Sequence, residues 1–159
     1  MNILFLCTHN ACRSILAESI ANSIGKNLWQ AFSAGSTPAG KVHPETIYQL
    51  ISRHYPVEGL LSKSWDELTD IKPDIVITVC DQAAGEACPV WFGQAIKGYW
   101  GLPDPTKALP DEREAVFKLV MNTLEQRLLK LADAVNTKSM EELPSLITRL
   151  AKENVNGLF

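Results

Sequence analysis

The sequence predicts an α/β protein: a single doubly wound domain whose four-stranded parallel sheet is flanked by helices. Apolar, strand-like runs alternate with amphipathic, helix-like ones along the chain, the order that a parallel sheet with crossover helices demands. The run Asp74-Ile75-Val76-Ile77-Thr78-Val79 is β-branched and almost wholly apolar, the mark of a central strand covered on both faces. A chain of 159 residues, 46% of them hydrophobic and 21% charged, suits one globular unit with a substantial core.

Taken in order, Ile3-Leu4-Phe5-Leu6 reads as a buried first strand and Ile15-Leu16-Ala17-Glu18-Ser19-Ile20 as helix. Trp29-Gln30-Ala31-Phe32-Ser33-Ala34 is a second strand, stopped by Gly35 and the turn-rich Thr37-Pro38-Ala39-Gly40. His43-Pro44 opens a helix reaching about Arg53, with Pro44 suited to a first helical position and Ile47, Leu50 and Ile51 on one face. Ser64 with Glu67 three residues later is a capping-box pattern, so Ser64-Trp65-Asp66-Glu67-Leu68 reads as a short helical piece. After the central strand, Ala95-Ile96-Lys97-Gly98-Tyr99-Trp100 is the last strand. A long amphipathic helix from Asp111 to about Val135 carries a stripe of Val116, Leu119, Val120, Leu124, Leu128 and Leu131. Beyond Asn136 a further helix is expected. Its apolar Leu146, Ile147 and Leu150 suit packing back onto the domain better than forming a partner surface.

A net charge of −3 and a pI near 5.6 argue against a nucleic-acid binder, so any anion site must be a local concentration of positive potential. No apolar run approaches the ~20 residues of a membrane span, and the start lacks the basic region of a signal peptide. Four unevenly spaced cysteines do not make a secreted disulfide framework. A reducing cytoplasm is the expected compartment, where such cysteines serve catalysis or metal binding.

The segment Cys7-Thr8-His9-Asn10-Ala11-Cys12-Arg13-Ser14, hung between strand and helix, carries the chemistry. Backbone amides of such a loop converge with the positive end of the helix on one point, an oxyanion cradle with a nucleophile in its floor. Arg13 can add a bidentate fork to two oxygens of a tetrahedral anion. The same field favours thiolate at Cys7, with a pKa expected between about 3.5 and 7.5, and Ser14 can donate a hydrogen bond to its sulfur. Cys80 ends the central strand as Cys7 ends the first, so the two can share a site, and Cys88 follows eight residues later. Facing thiols at two strand ends form an arrangement for disulfide relay. Asp104, between Pro103 and Pro105 on the loop after the last strand, is a candidate general acid; read by itself it is an ordinary turn residue.

Together the Cys7–Ser14 loop, the Ser33-Ala34-Gly35 turn and the Asp104-Pro105 pair resemble the low-molecular-weight protein tyrosine phosphatase fold. Cys80, Cys88 and Trp100-Gly101 resemble its arsenate reductase branch, the thioredoxin- or glutaredoxin-coupled type. The resemblance covers about residues 2 to 133, which sets a catalytic domain at 1–135 and a helical extension at 136–159. It implies that Cys7 attacks arsenate seated on Thr8, His9, Asn10, Ala11, Cys12, Arg13 and Ser14, with phosphate or sulfate as competing anions. Asp104 then protonates the departing oxygen, and Cys80 and Cys88 carry the disulfide outward to thioredoxin or to glutathione and glutaredoxin. No tightly bound cofactor is implied. In several relatives a monovalent cation such as potassium steadies the loop, and the matching positions are Asn10, Glu18, Ser33, Ser64 and Asp66. Cys12 is expected to pack rather than relay. The alternative is a phosphatase hydrolysing phosphate monoesters through a Cys7 phospho-intermediate; against it, Thr106-Lys107-Ala108 stands where such enzymes place aromatics. Three departures from the family pattern stand out: His9 at a position often glycine, a slightly longer Cys80–Cys88 spacing, and the extension itself.

Overall fold

The computed structural model describes residues 1–80 and 93–153. Strands β1 (Asn2–Leu6), β2 (Gln30–Ala34), β3 (Ile75–Thr78) and β4 (Ile96–Tyr99) form one parallel sheet in the order β2-β1-β3-β4. Helices α1 (Arg13–Ile24), α2 (Pro44–Ser52), α3 (Arg113–Thr137) and α4 (Leu143–Lys152) accompany it, with short 3-10 turns at Trp65–Leu68 and Pro105–Lys107. No helix among the described residues is long and apolar enough to cross a membrane.

The strand order positions the site. From β1 the chain moves outward to β2, then returns to lay β3 on the other side of β1, so connections leave β1 and β3 in opposite directions. A crevice opens at such a switch point, beyond the C-terminal strand ends. The register pairs Leu6 with both Ala34 and Thr78, and Thr78 with Tyr99, so the four strands end in one row. Cys7, Gly35, Val79 and Trp100 are the residues that leave that row, with Cys80 one position further.

Alternation in β1 and β3 divides the core. Ile3, Phe5, Ile75 and Ile77 face α1, α3 and α4 in the larger cluster, while Leu4, Leu6 and Val76 pack with Ala34 and Leu68 on the opposite face. Two expected stripes are rotated. In α3 the wholly buried residues include Phe117 and Met121, whereas Val116 and Leu119 are half-buried, because the helix turns towards α1 and α4 at once. In α2 only Leu50 of the expected trio is buried, and Ile51 is 56% exposed. Helix α4 lies back on β4 and α3, burying Leu143, Leu146, Ile147 and Leu150.

Candidate active site

The loop from Cys7 to Cys12 is held by donors from outside it. The carbonyls of Thr8, His9 and Ala11 accept from the amides of Thr37, Ala39 and His43 at 2.9, 2.9 and 3.0 Å, and Ser62 Oγ adds a bond to His9 O at 3.0 Å. A trans peptide sets its N–H opposite its carbonyl. Outward carbonyls therefore turn the amides of His9, Asn10 and Cys12 inward, over Cys7. Asn10 is buried with φ of 47°, a left-handed conformation that asparagine tolerates. Its side chain secures that turn, donating from Nδ2 to Ser14 Oγ at 2.8 Å and accepting from the Lys63 amide at 2.9 Å. Gly35 is required by close approach: a Cβ there would sit 2.4 Å from Thr8 O and 2.7 Å from Cys7 O.

Cys7 Sγ lies 3.0 Å from Ser14 Oγ. Because Asn10 already donates to that oxygen, the Ser14 hydroxyl is left to donate to the sulfur. Arg13, first residue of α1, sends Nη1 to the Leu102 carbonyl at 2.9 Å, and its Nη2 stands 3.6 Å from Asp104 Oδ2. The other Asp104 oxygen caps the following turn, accepting from Thr106 N at 3.0 Å and Thr106 Oγ1 at 2.7 Å. Cys7, His9, Ala11, Cys12, Arg13 and Asp104 line a cavity of about 200 Å³, together with Ala39, His43, Thr106 and Lys107. Cys80 is fully buried beside the loop. It accepts from the Thr8 amide at 3.3 Å and faces the Cys7 thiol closely enough to raise that thiol's pKa. Cys88 lies outside the described residues.

The direction of the Cys7 pKa is opposite to that expected from the loop alone. The Cys80 thiol and burial push it well above its ordinary 9.0, against the pull of Ser14. The positive loop and the facing thiols were both legible in the chain; that the second thiol and burial outweigh the loop needs the fold. Burial also pushes the Cys12 thiol up, to about 12, so it stays neutral at any ordinary pH. His9 turns Nδ1 to the Thr37 carbonyl at 3.1 Å.

At four of the five positions matched to a monovalent cation the side-chain oxygens already have protein partners. Ser33 Oγ donates to Glu18, and the Lys63 ammonium stands 3.8 Å from the same carboxylate. Asn10 Oδ1 is taken by the Lys63 amide, Ser64 Oγ by the Asp66 amide, and Asp66 is exposed. A protein ammonium thus already faces Glu18. Burial still lifts the Glu18 carboxyl above its usual range. Lys63 and His43 were not foreseen. His43 caps α2, accepting from the Glu45 amide on Nδ1 at 3.2 Å, so its own proton sits on Nε2. The His43-Pro44 pair signalled a helix start, but nothing local says that this start borders the cavity.

Residues 2–141 match the family described as low molecular weight phosphotyrosine protein phosphatase. The chain is 32% identical over 133 residues to an arsenate reductase of Halalkalibacterium halodurans, covering 82% of this chain and 94% of that protein. It is 31% identical to one of Bacillus subtilis over the same length and shares. Among solved structures, an arsenate reductase in the phosphate binding state superposes with a TM-score of 0.70 at 27% identity, covering 84% of this chain and 98% of the other. One from Archaeoglobus fulgidus gives 0.66 at 27% identity, covering 82% and 98%.

Proposed function

Because the chain belongs to the low-molecular-weight phosphotyrosine protein phosphatase family, we propose that it is the arsenate-reducing kind of member, reducing arsenate to arsenite by a thiol relay. The observation that supports this most is Cys80 against Cys7: a phosphatase needs only water to resolve its intermediate, whereas a reductase needs a second thiol at the first. The curated arsenate reductases among its relatives support the same reading.

Arsenate enters the cavity over Cys7, its charge met by the inward amides and by Arg13. Cys80 and burial hold the Cys7 thiol protonated, so the dianion itself is the base that takes the proton. The sulfur attacks arsenic(V), and one oxygen leaves as water after Asp104 supplies a proton. Cys80, its proton passing to the arsenic oxyanion, then attacks the Cys7 sulfur. The As–S bond breaks with its electron pair left on arsenic, which departs as arsenic(III) arsenite, and a Cys7–Cys80 disulfide forms. Cys88 attacks Cys80, freeing the Cys7 thiolate, and an external thiol system, thioredoxin or glutathione with glutaredoxin, reduces the Cys80–Cys88 disulfide. A reducing cytoplasm suits this chemistry.

Arsenate-dependent NADPH oxidation tests the proposal, run in parallel with a thioredoxin system and a glutathione–glutaredoxin system. Cys7→Ser is expected to be inactive with both, and Cys80→Ser and Cys88→Ser each to fail with at least one. Full activity in both Cys80→Ser and Cys88→Ser would overturn the relay. Brisk hydrolysis of phosphate monoesters without arsenate turnover would establish the phosphatase alternative instead.

A further inference from the structure

Trp100 stands where the C-terminal helix meets the loop that holds Arg13. Its ring is fully buried, and its Nε1–H donates to the carbonyl of Ile147 in α4 at 3.0 Å, using the second lone pair of a helical carbonyl. The Arg127 guanidinium lies over the ring, 5.8 Å from its centroid, and donates to the Ala151 carbonyl at 3.2 Å, so α3 and α4 fix the indole from edge and face. The backbone carries this placement onward. Trp100 N donates to Thr78 O at 2.7 Å and Leu102 N to Val79 O at 3.2 Å. The Leu102 carbonyl, two residues beyond the ring, is the acceptor that holds Arg13 Nη1.

We propose that helix α4 is a brace for the anion site: through Ile147 it positions Trp100, and Trp100 positions the Leu102 carbonyl that aims Arg13 at the bound oxyanion. This rests on the Cys7–Ser14 loop being the oxyanion site. Trp100 and Ile147 are positioning residues and do not line the cavity. The family match ends at residue 141 and α4 begins at Leu143, so the brace is built from chain outside the matched stretch. Gly98 shows how closely helix and sheet meet, since a Cβ there would lie 2.3 Å from Ile147 Cγ2.

Two variants of the full chain separate bracing from plain core packing. Trp100→Phe keeps an aromatic side chain but removes the N–H together with part of the bicyclic ring, while Gly98→Ala presses a methyl against Ile147 of α4 and leaves Trp100 and the loop unaltered. Calorimetric titration with inorganic phosphate reads anion affinity at a temperature where each variant is folded, and thermal unfolding is recorded alongside. The expected result is phosphate binding weaker on the order of threefold to tenfold in both variants, the scale of one hydrogen bond. Wild-type phosphate affinity in a folded variant whose melting temperature has dropped would overturn the proposal, because α4 and Trp100 would then serve stability alone. Should Trp100→Phe not fold, Gly98→Ala decides by itself. Phosphate affinity and arsenate turnover are separate measurements, so this proposal and the reductase reading fail independently.

Discussion

At Cys7 two influences oppose each other: the Cys80 thiol and burial favour the neutral form and prevail, while the Ser14 hydroxyl and backbone amide favour a thiolate. Cys12 is simpler, because burial dominates and lifts its pKa from 9.0 to about 12. The sign of the consequence follows from linkage. A folded-state pKa above the unfolded one means the native chain keeps a proton the unfolded chain has lost, so this stability is complete below pH 9 and is lost as pH rises towards 12. Denaturant unfolding between pH 8 and 11 is expected to show wild type losing stability more steeply than Cys12→Ala, by about 1.4 kcal/mol per pH unit at most. Lys63 makes a second residue-scale prediction. With its ammonium beside Glu18, reductase activity should not change when potassium chloride is replaced by tetramethylammonium chloride at equal ionic strength. Lys63→Met leaves a mostly buried carboxylate without its counter-charge and should cost about 1–2 kcal/mol at pH 7, below the figure for fully buried pairs. That loss should shrink as pH falls and Glu18 takes up a proton, which urea unfolding at pH 5 and pH 7 would check.

The elements matter for how they hold one another. The β1–α1 loop has little structure of its own; its conformation is imposed by amides from the segment after β2, by Ser62 and Lys63, and by α1 through Ser14. Gly35 is where that arrangement is least tolerant, because the atoms its Cβ would meet are backbone and cannot swing away. Gly35→Ala should destabilise the protein by about 2 kcal/mol and abolish phosphate binding even where the chain remains folded. Melting temperature and a phosphate titration on one sample read both effects. Phosphate binding at wild-type strength in Gly35→Ala would mean the loop does not depend on that approach.

At the scale of the molecule, α1, α3 and α4 share one cluster on one face of the sheet, so the C-terminal helix is core rather than appendage. Leu150→Ala, at a fully buried position, should cost about 2–4 kcal/mol, and far-UV circular dichroism and tryptophan fluorescence should report the same transition. Separate transitions would mean that α4 docks as its own unit. The sheet, its strands, the cysteine–arginine loop and the apolar face of α4 were all legible in the chain, because period and turn chemistry are local signals. Arg127 was not: it is a charged residue inside a buried stripe, placed there by a tryptophan from another element. Nor were Lys63 at Glu18 and His43 at the cavity, whose partners lie tens of residues away. The amino-acid order by itself determined which segments become strands and helices and that a nucleophilic loop joins the first two. Only the packed fold decided that β3 lies against β1, which brings Cys80 to Cys7, and that the last helix reaches Arg13 by way of Trp100. Pairing between distant segments is chosen by how buried surfaces fit together, and no stretch of the chain carries that information alone.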